Sequence, residues 1–275
     1  MIAASLQPIG APPTADIGLI LRQTRYWLTA TFRTPRAVVF SLIFPALLLV
    51  MFNSIFVGGD DTAKLAGGEE IEAKAYFTAG MLAYAIMLTS FTQLLMVLTT
   101  QRESGELKRY RGTPAPAWTF IASFAMRSVV LVAMMTVVLL GIAHFAYDVP
   151  ISADGAVGLV VYIVLWTATM CSLGIGLTAA VDSAEAASSI GPFSAVILSF
   201  ISGIFVPVDQ LPSWLEEIAR VFPLYHLADG LQRALGLGGG TGLESTDVAV
   251  LAAWALAGAA VALRSFRWEP QTARG

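Results

Sequence analysis

Long apolar runs recur along this chain, separated by short polar stretches that hold almost all of its charge. Residues 37–57, 75–100, 155–181 and 186–206 carry no Asp, Glu, Lys or Arg, and each is about the length an α-helix needs to cross a hydrocarbon core. Residues 118–147 form a fifth run interrupted only by Arg127 and by His144 near its end. The last run, Val248–Leu263, has 16 uncharged residues and extends to about residue 265 if Arg264 and Arg267 reach for the interface. The pattern therefore predicts an all-α integral membrane protein with six transmembrane helices over 37–57, 75–100, 118–147, 155–181, 186–206 and 248–265. Spanning elements are read as helices because isolated strands leave backbone groups unsatisfied in lipid.

Three segments between the runs are patterned as well. Asp16–Arg36 is amphipathic at helical period, with Ile17, Ile20, Leu21, Trp27, Leu28 and Phe32 on one side and Arg22, Arg25, Thr29 and Arg33 on the other. Asp16 suits its N-cap, and a basic face beside an apolar one predicts a helix lying in the membrane interface. Gln101–Pro114 concentrates Arg102, Glu103, Glu106, Lys108, Arg109 and Arg111 around a small apolar face of Leu107 and Tyr110, and Gly112-Thr-Pro closes it. Composition is equally compatible with a stiff charged helix and with a basic loop that only fixes topology. After the fifth run, Pro212 opens one short helical stripe through Trp214, Leu215, Ile218 and Phe222. Pro223 opens a second through Leu224, Leu227, Leu231 and Leu235. Two half-length helices there predict an outer re-entrant hairpin, permitted where protein buries it. Residues 1–15, with Pro8, Pro12 and Pro13, read as a mobile leader, and residues 16–275 as a single membrane domain.

Charge fixes the orientation. The N-terminus, 101–127, 182–185 and the C-terminus together hold twelve of the sixteen Lys and Arg residues, and the opposite loops hold thirteen of the nineteen acids, giving net charges of +6 and −9. The positive-inside rule places both termini in the cytoplasm, in a plasma (inner) membrane. Hydrophobic residues make up 56% of the chain and charged residues 13%, with a mean hydropathy of +0.73. So few charges argue against disorder, nucleic-acid binding and an ordinary soluble enzyme. One cysteine, Cys171, and two histidines, His144 and His226, give no basis for a disulfide framework or a resident metal.

These segments resemble the membrane subunit of type-2 ABC exporters, the permease family that includes daunorubicin-resistance-type drug exporters and polysaccharide exporters. Glu103, Gly105, Leu107, Arg109, Thr113 and Pro114 match its E-x-G-x-L-x-R…T-P stretch. Gly203, Phe205, Pro207, Leu211, Pro212, Trp214, Leu215, Pro223, Leu224, Asp229 and Leu231 match its outer pattern, and Arg36 ahead of Phe44-Pro45 matches the start of its first span. Arg233 lies one residue later than the usual arginine, so no role carries over to it. The resemblance implies a subunit that dimerises, with a second copy or a related permease, on two copies of an ABC ATP-binding subunit. It implies that Asp16–Arg36, with Arg22, Arg25, Trp27 and Arg33, is a connecting helix. It also implies that Arg102, Glu103, Gly105, Glu106, Leu107, Arg109, Tyr110, Thr113 and Pro114 couple to the ATPase, and that Pro207, Pro212, Trp214, Leu215 and Pro223 shape a cap at the exit side.

The chain contains no Gly-Lys dipeptide and hence no phosphate-cradling G-x-x-x-x-G-K-[ST] loop. No catalytic residues are expected, and ATP and Mg belong to the partner. Arg127 is expected to snorkel, and His144 and Asp148 to sit at the interface. The function read from these features is export of a hydrophobic or amphiphilic drug or lipid-like substrate. The alternatives are a permease for a lipid-linked polysaccharide and an ion-coupled secondary transporter. The latter normally shows midplane ionisable groups and repeated halves.

Overall fold

The computed structural model describes residues 13–35, 39, 43–56, 62–65, 68–113, 115–207, 210–237 and 240–265. The leader to residue 12, Arg36 and Pro114 lie outside the described residues. The elements are α1 (Pro13–Phe32), α2 (Phe44–Phe56), β1 (Thr62–Lys64), β2 (Glu70–Glu72), α3 (Ala73–Met87), α4 (Gln93–Glu103), α5 (Glu106–Arg111), α6 (Ala117–Tyr147), α7 (Ala153–Leu177), α8 (Ala184–Ile201), α9 (Ser213–Ala219), α10 (Pro223–Gly236) and α11 (Ser245–Ser265). A π-helical segment, Leu88–Thr92, joins α3 to α4.

Helix α3, the π segment and α4 form one 31-residue rod, Ala73–Glu103, and 78% of its most apolar stretch is buried. The other four long helices bury between 17% and 44% of theirs, so this rod is the axis about which the rest packs. Its first half, α3, meets α2, α6 and α10, and its second half, α4, meets α7 and α8. The peripheral helices keep apolar side chains outward, among them Val137, Phe193, Leu256 and Leu263. Such a surface is a liability in water and the expected one in lipid. Among the described residues, five helices are long and apolar enough to cross a membrane: Ala73–Glu103, Trp118–Tyr147, Ala153–Leu177, Ala184–Ile201 and Ser245–Arg264. They coincide with the second to sixth runs. Helix α2, inside the first run, is apolar but 13 residues long, about 20 Å at 1.5 Å per residue.

Local sequence explains most boundaries. Ser152 caps α7 by accepting from Gly155 N–H at 2.9 Å, and Ser183 caps α8 by accepting from Ala186 N–H at 3.1 Å. Asp148, in the left-handed region at φ 52°, ends α6. Helix α1 begins at Pro13, ahead of the expected Asp16 cap, because proline fits a first helical turn. The loop after α2 holds a small antiparallel pair, β1 with β2, in register Thr62↔Glu72, Ala63↔Ile71 and Lys64↔Glu70. The run-length reading foresaw no strand there. Ala63 and Ile71 alternate inward with exposed neighbours and cluster with Leu65, Tyr76 and Phe77.

Candidate functional site

At the basic end, α1 lies along the first half of α6. Its Trp27 ring sits 4.6 Å from Phe124 and 6.4 Å from Phe120, centroid to centroid. Thr24 Oγ1 donates to the Ser123 carbonyl at 3.3 Å. Buried Thr24 and Thr31 mark the packed face. Ile17, Leu21 and Phe32 form a neighbouring stripe that stays exposed, and Arg22, Arg25 and Arg33 follow on the next face. The helix thus has a protein-facing side, a free apolar side and a basic side, where the sequence alone suggests two.

Helix α5 is a single charged turn held against this assembly. Gly105, at φ 74°, makes the break from α4 that a residue with a Cβ rarely adopts. Leu107 is buried among Leu94, Leu98, Phe120, Phe124, Cys171 and Ile175. The Tyr110 hydroxyl accepts from Gln23 Nε2 at 2.8 Å and lies 2.9 Å from Thr119 Oγ1. The fold therefore turns the apolar face of Leu107 and Tyr110 into the subunit, leaving Glu106, Lys108 and Arg109 outward. Thr113 Oγ1 donates to the Tyr110 carbonyl at 2.7 Å and closes the turn. Arg22, Gln23, Tyr26, Trp27, Tyr110 and Phe120 line a cavity of about 250 Å³ where the three elements meet.

Arg102 and Glu103 end α4 with opposite orientations. Arg102 is 2% exposed and donates to the carbonyls of Thr178 and Val181. Glu103 stays exposed and accepts from Ala184 N–H at 2.8 Å.

Arg127 does not snorkel. It is 4% exposed; its Nε donates to Thr31 Oγ1 at 2.9 Å and its Nη2 to Gln93 Oε1 at 3.0 Å. Polar partners on α1 and α4 take up Nε and Nη2, so two of its three nitrogens are engaged sideways while Nη1 stays buried without a partner. The side chain links α1 to the central rod.

The acidic end holds a network that sequence reasoning missed. Helix α10 is buried on nearly every side, His226, Asp229 and Gln232 included, whereas α9 keeps Trp214 and Ile218 exposed, as is Val221 just after it. Leu215 is half-buried, Pro207 precedes α9, Pro212 caps it and Pro223 starts α10. His226 Nδ1 lies 2.7 Å from Asp247 Oδ1 on α11, and Nε2 lies 2.8 Å from the Arg220 carbonyl. With an acceptor on each ring nitrogen, the imidazolium is the form that donates to both. Burial alone would lower the His226 pKa; the hydrogen bonds to Asp247 and Arg220 and the charges of Asp247 and Asp229 outweigh it and raise it. Tyr162 on α7 donates to Asp247 Oδ2 at 3.4 Å or to the Gly242 carbonyl at 3.2 Å. Arg233 bridges Asp229 at 2.8 Å and Glu69 at 2.7 Å, tying α10 to the loop of the β pair. His226 and Asp247 are 21 residues apart, a separation no periodicity links. His144 Nδ1 lies 3.1 Å from the Val149 carbonyl, beside the turn Asp148 makes.

A histidine whose folded value lies above its ordinary 6.5 contributes stability that is fully present below that ordinary value and lost as pH rises through the folded one. Wild-type protein in detergent is therefore expected to melt at a higher temperature at pH 6 than at pH 8.5. A difference of roughly 2–4 °C corresponds to about 1 kcal/mol. The difference should shrink in His226→Gln; an equal pH dependence in the variant would count against the assignment.

Residues 20–235 match the ABC-2 type transporter family. The chain is similar to the probable multidrug ABC transporter permease YbhR of Escherichia coli, at 24% identity over 131 residues that make up 47% of this chain and 35% of YbhR; the match spans about a third of that relative. It is also similar to the daunorubicin resistance ABC transporter permease protein DrrB1 of Streptomyces coeruleorubidus, at 22% identity over 223 residues, 80% of this chain and 76% of that protein.

Proposed function

The chain belongs to the ABC-2 type transporter family, and from that premise we propose that it is the membrane-spanning subunit of an ATP-driven exporter of hydrophobic or amphiphilic drugs or lipid-like molecules. The observation that carries the reading is the basic end: α5 leaves the most buried helix of the bundle, is braced by Tyr110 against α1 and α6, and turns Glu106, Lys108 and Arg109 outward. A rigidly backed charged turn is what a separate ATPase subunit needs in order to move the central rod. The exposed apolar stripe of Ile17, Leu21 and Phe32 beside three arginines supports an interfacial position for α1.

In this reading two ATP-binding subunits carry ATP and Mg, and two permease chains, identical or related, enclose the path in the plasma (inner) membrane with both termini cytoplasmic. The first run, within which α2 lies, provides the sixth crossing. Helices α9 and α10 form a re-entrant cap on the outer side. The names of the relatives, multidrug and daunorubicin resistance permeases, favour a drug-like cargo. Charge buried in the bundle, at Arg127 and Asp247, is engaged by neighbouring side chains, leaving an apolar path as the simplest route.

The test is co-expression with an ABC ATP-binding subunit, affinity purification through this chain alone, and ATP turnover in proteoliposomes with and without daunorubicin or a short-chain fluorescent phospholipid. The expected result is a retained ATPase subunit whose turnover rises several-fold with one of the two probes. A chain that retains no ATPase subunit would overturn the reading.

A further inference from the structure

Adjacent side chains of opposite charge at the end of α4 close on opposite sides of one turn. Arg102 reaches the carbonyls at and just past the C-terminus of α7, those of Thr178 and Val181. Glu103 takes up the first N–H of α8, that of Ala184, at 2.8 Å. The last carbonyls and first amides of helices have no intrahelical partners, and the helix dipoles favour a cation at the first place and an anion at the second. Both signs are correct here. Apolar contact backs the arrangement, since Leu95 of α4 clusters with Val181 and Ala187. Gly191 of α8 also approaches the rod so closely that a Cβ there would lie 2.9 Å from Thr92 Cγ2.

We infer that Arg102 and Glu103 are positioning residues that clamp the α7–α8 turn to the end of α4, so that displacement of α5 is delivered to the fourth and fifth spans together with the second. This rests on the proposed function in one respect, that an ATPase acts at α5. It assigns Arg102 and Glu103 a role inside the permease in place of direct contact with the ATPase. The turn that would otherwise join two spans loosely becomes part of the moving element.

The experiment uses Glu103→Ala and Glu103→Gln, since the glutamine carbonyl can still accept from Ala184 N–H whereas it cannot replace a charged docking contact. The first readout needs no partner. In a Cys171→Ser background, Val181→Cys places a thiol at a position that is 3% exposed, and its maleimide labelling rate is measured with each residue at position 103. Glu103→Ala is expected to accelerate labelling about tenfold, the loss of one charge-assisted hydrogen bond, and Glu103→Gln to stay near wild type. The second readout is the complex with its ATPase subunit. Glu103→Ala should keep the subunit and the KM for ATP but lower cargo-stimulated kcat several-fold, with Glu103→Gln restoring most of it.

Unchanged labelling in Glu103→Ala would overturn the clamp. Accelerated labelling with unaltered kcat would reduce it to a structural contact and overturn its part in transport. Release of the ATPase subunit by Glu103→Ala, unrescued by Glu103→Gln, would return Glu103 to direct docking. A wild-type chain that shows the labelling pattern but binds no ATPase subunit would fell the functional premise and leave the clamp standing.

Discussion

Gly230→Ala is expected to separate α10 from α7 and to lower the melting temperature of the purified protein by several degrees. A Cβ at this position would lie 2.2 Å from Tyr162 Cζ, with two further ring carbons at 2.4 and 2.6 Å. The ring cannot withdraw. Tyr162 is fully buried, and its hydroxyl accepts from Glu244 N–H at 3.0 Å while facing the Gly242 carbonyl and Asp247. Overpacking of this kind costs about 1–3 kcal/mol, occasionally more, and here it falls on the helix that carries His226, Asp229 and Arg233. Limited trypsin digestion should then cut after Arg233, which the wild type keeps largely covered between Asp229 and Glu69. A second change, Tyr162→Leu, makes room and should recover part of the loss. An unchanged melting temperature with Arg233 still protected would show that α10 does not depend on this contact.

Arg127→Ala should release α1 from the bundle. The guanidinium serves Thr31 on α1 and Gln93 on the central rod at once, and a hydrogen bond from a charged donor is worth about 1.5–3 kcal/mol. Because both partners are neutral, removing Arg127 orphans no opposite charge; the loss is of tethering and of packed volume. Hydrogen exchange of the α1 amides is expected to accelerate roughly tenfold to a hundredfold, while α11, which supplies neither hydrogen-bond partner of Arg127, should be unaffected. Arg127→Lys supplies one donor point in place of a planar fork and should fall between. Protection of α1 unchanged in Arg127→Ala would mean that the contacts of Trp27, Thr24 and Gln23 suffice to hold it.

The crossing helices were legible because lipid imposes a length and a composition on any segment that spans it, and the second to sixth runs meet both. The exceptions have physical causes. Arg127 was expected to snorkel because a one-dimensional reading measures distance to the interface along its own helix, and Thr31 and Gln93 are near it only in the fold. Leu107 and Tyr110 were read as a face for a partner because an apolar pair on a charged turn has no owner until Phe120 and Phe124 are packed against it. Arg102 stands in the densest charge run of the sequence and is among the largest fully buried side chains of the structure. Its acceptors are main-chain carbonyls 76 and 79 residues away, which no residue type announces. The network around His226 was hidden for the same reason. His226, Asp247, Arg233 and Glu69 come from three separate segments, and the stripe of leucines in α10 says nothing of which polar groups meet on its other faces.

The π-helical segment Leu88–Thr92 concerns direction in place of length. Each residue of an α-helix advances the azimuth of its side chain by about 100°, and a π turn admits one extra residue without that advance. Everything downstream is thereby set back by the same angle relative to an unbroken helix. The first half of the rod faces α10 and the second half faces α7 and α8, with Arg102 aimed at the turn between the latter two. Deleting one residue from Leu88–Thr92 would leave the hydropathy profile almost untouched and the helix long enough to cross the bilayer. It would nonetheless swing Arg102 and Glu103 toward different neighbours. The phase of this one helix, invisible to any measure of apolarity, determines which spans its two halves can address.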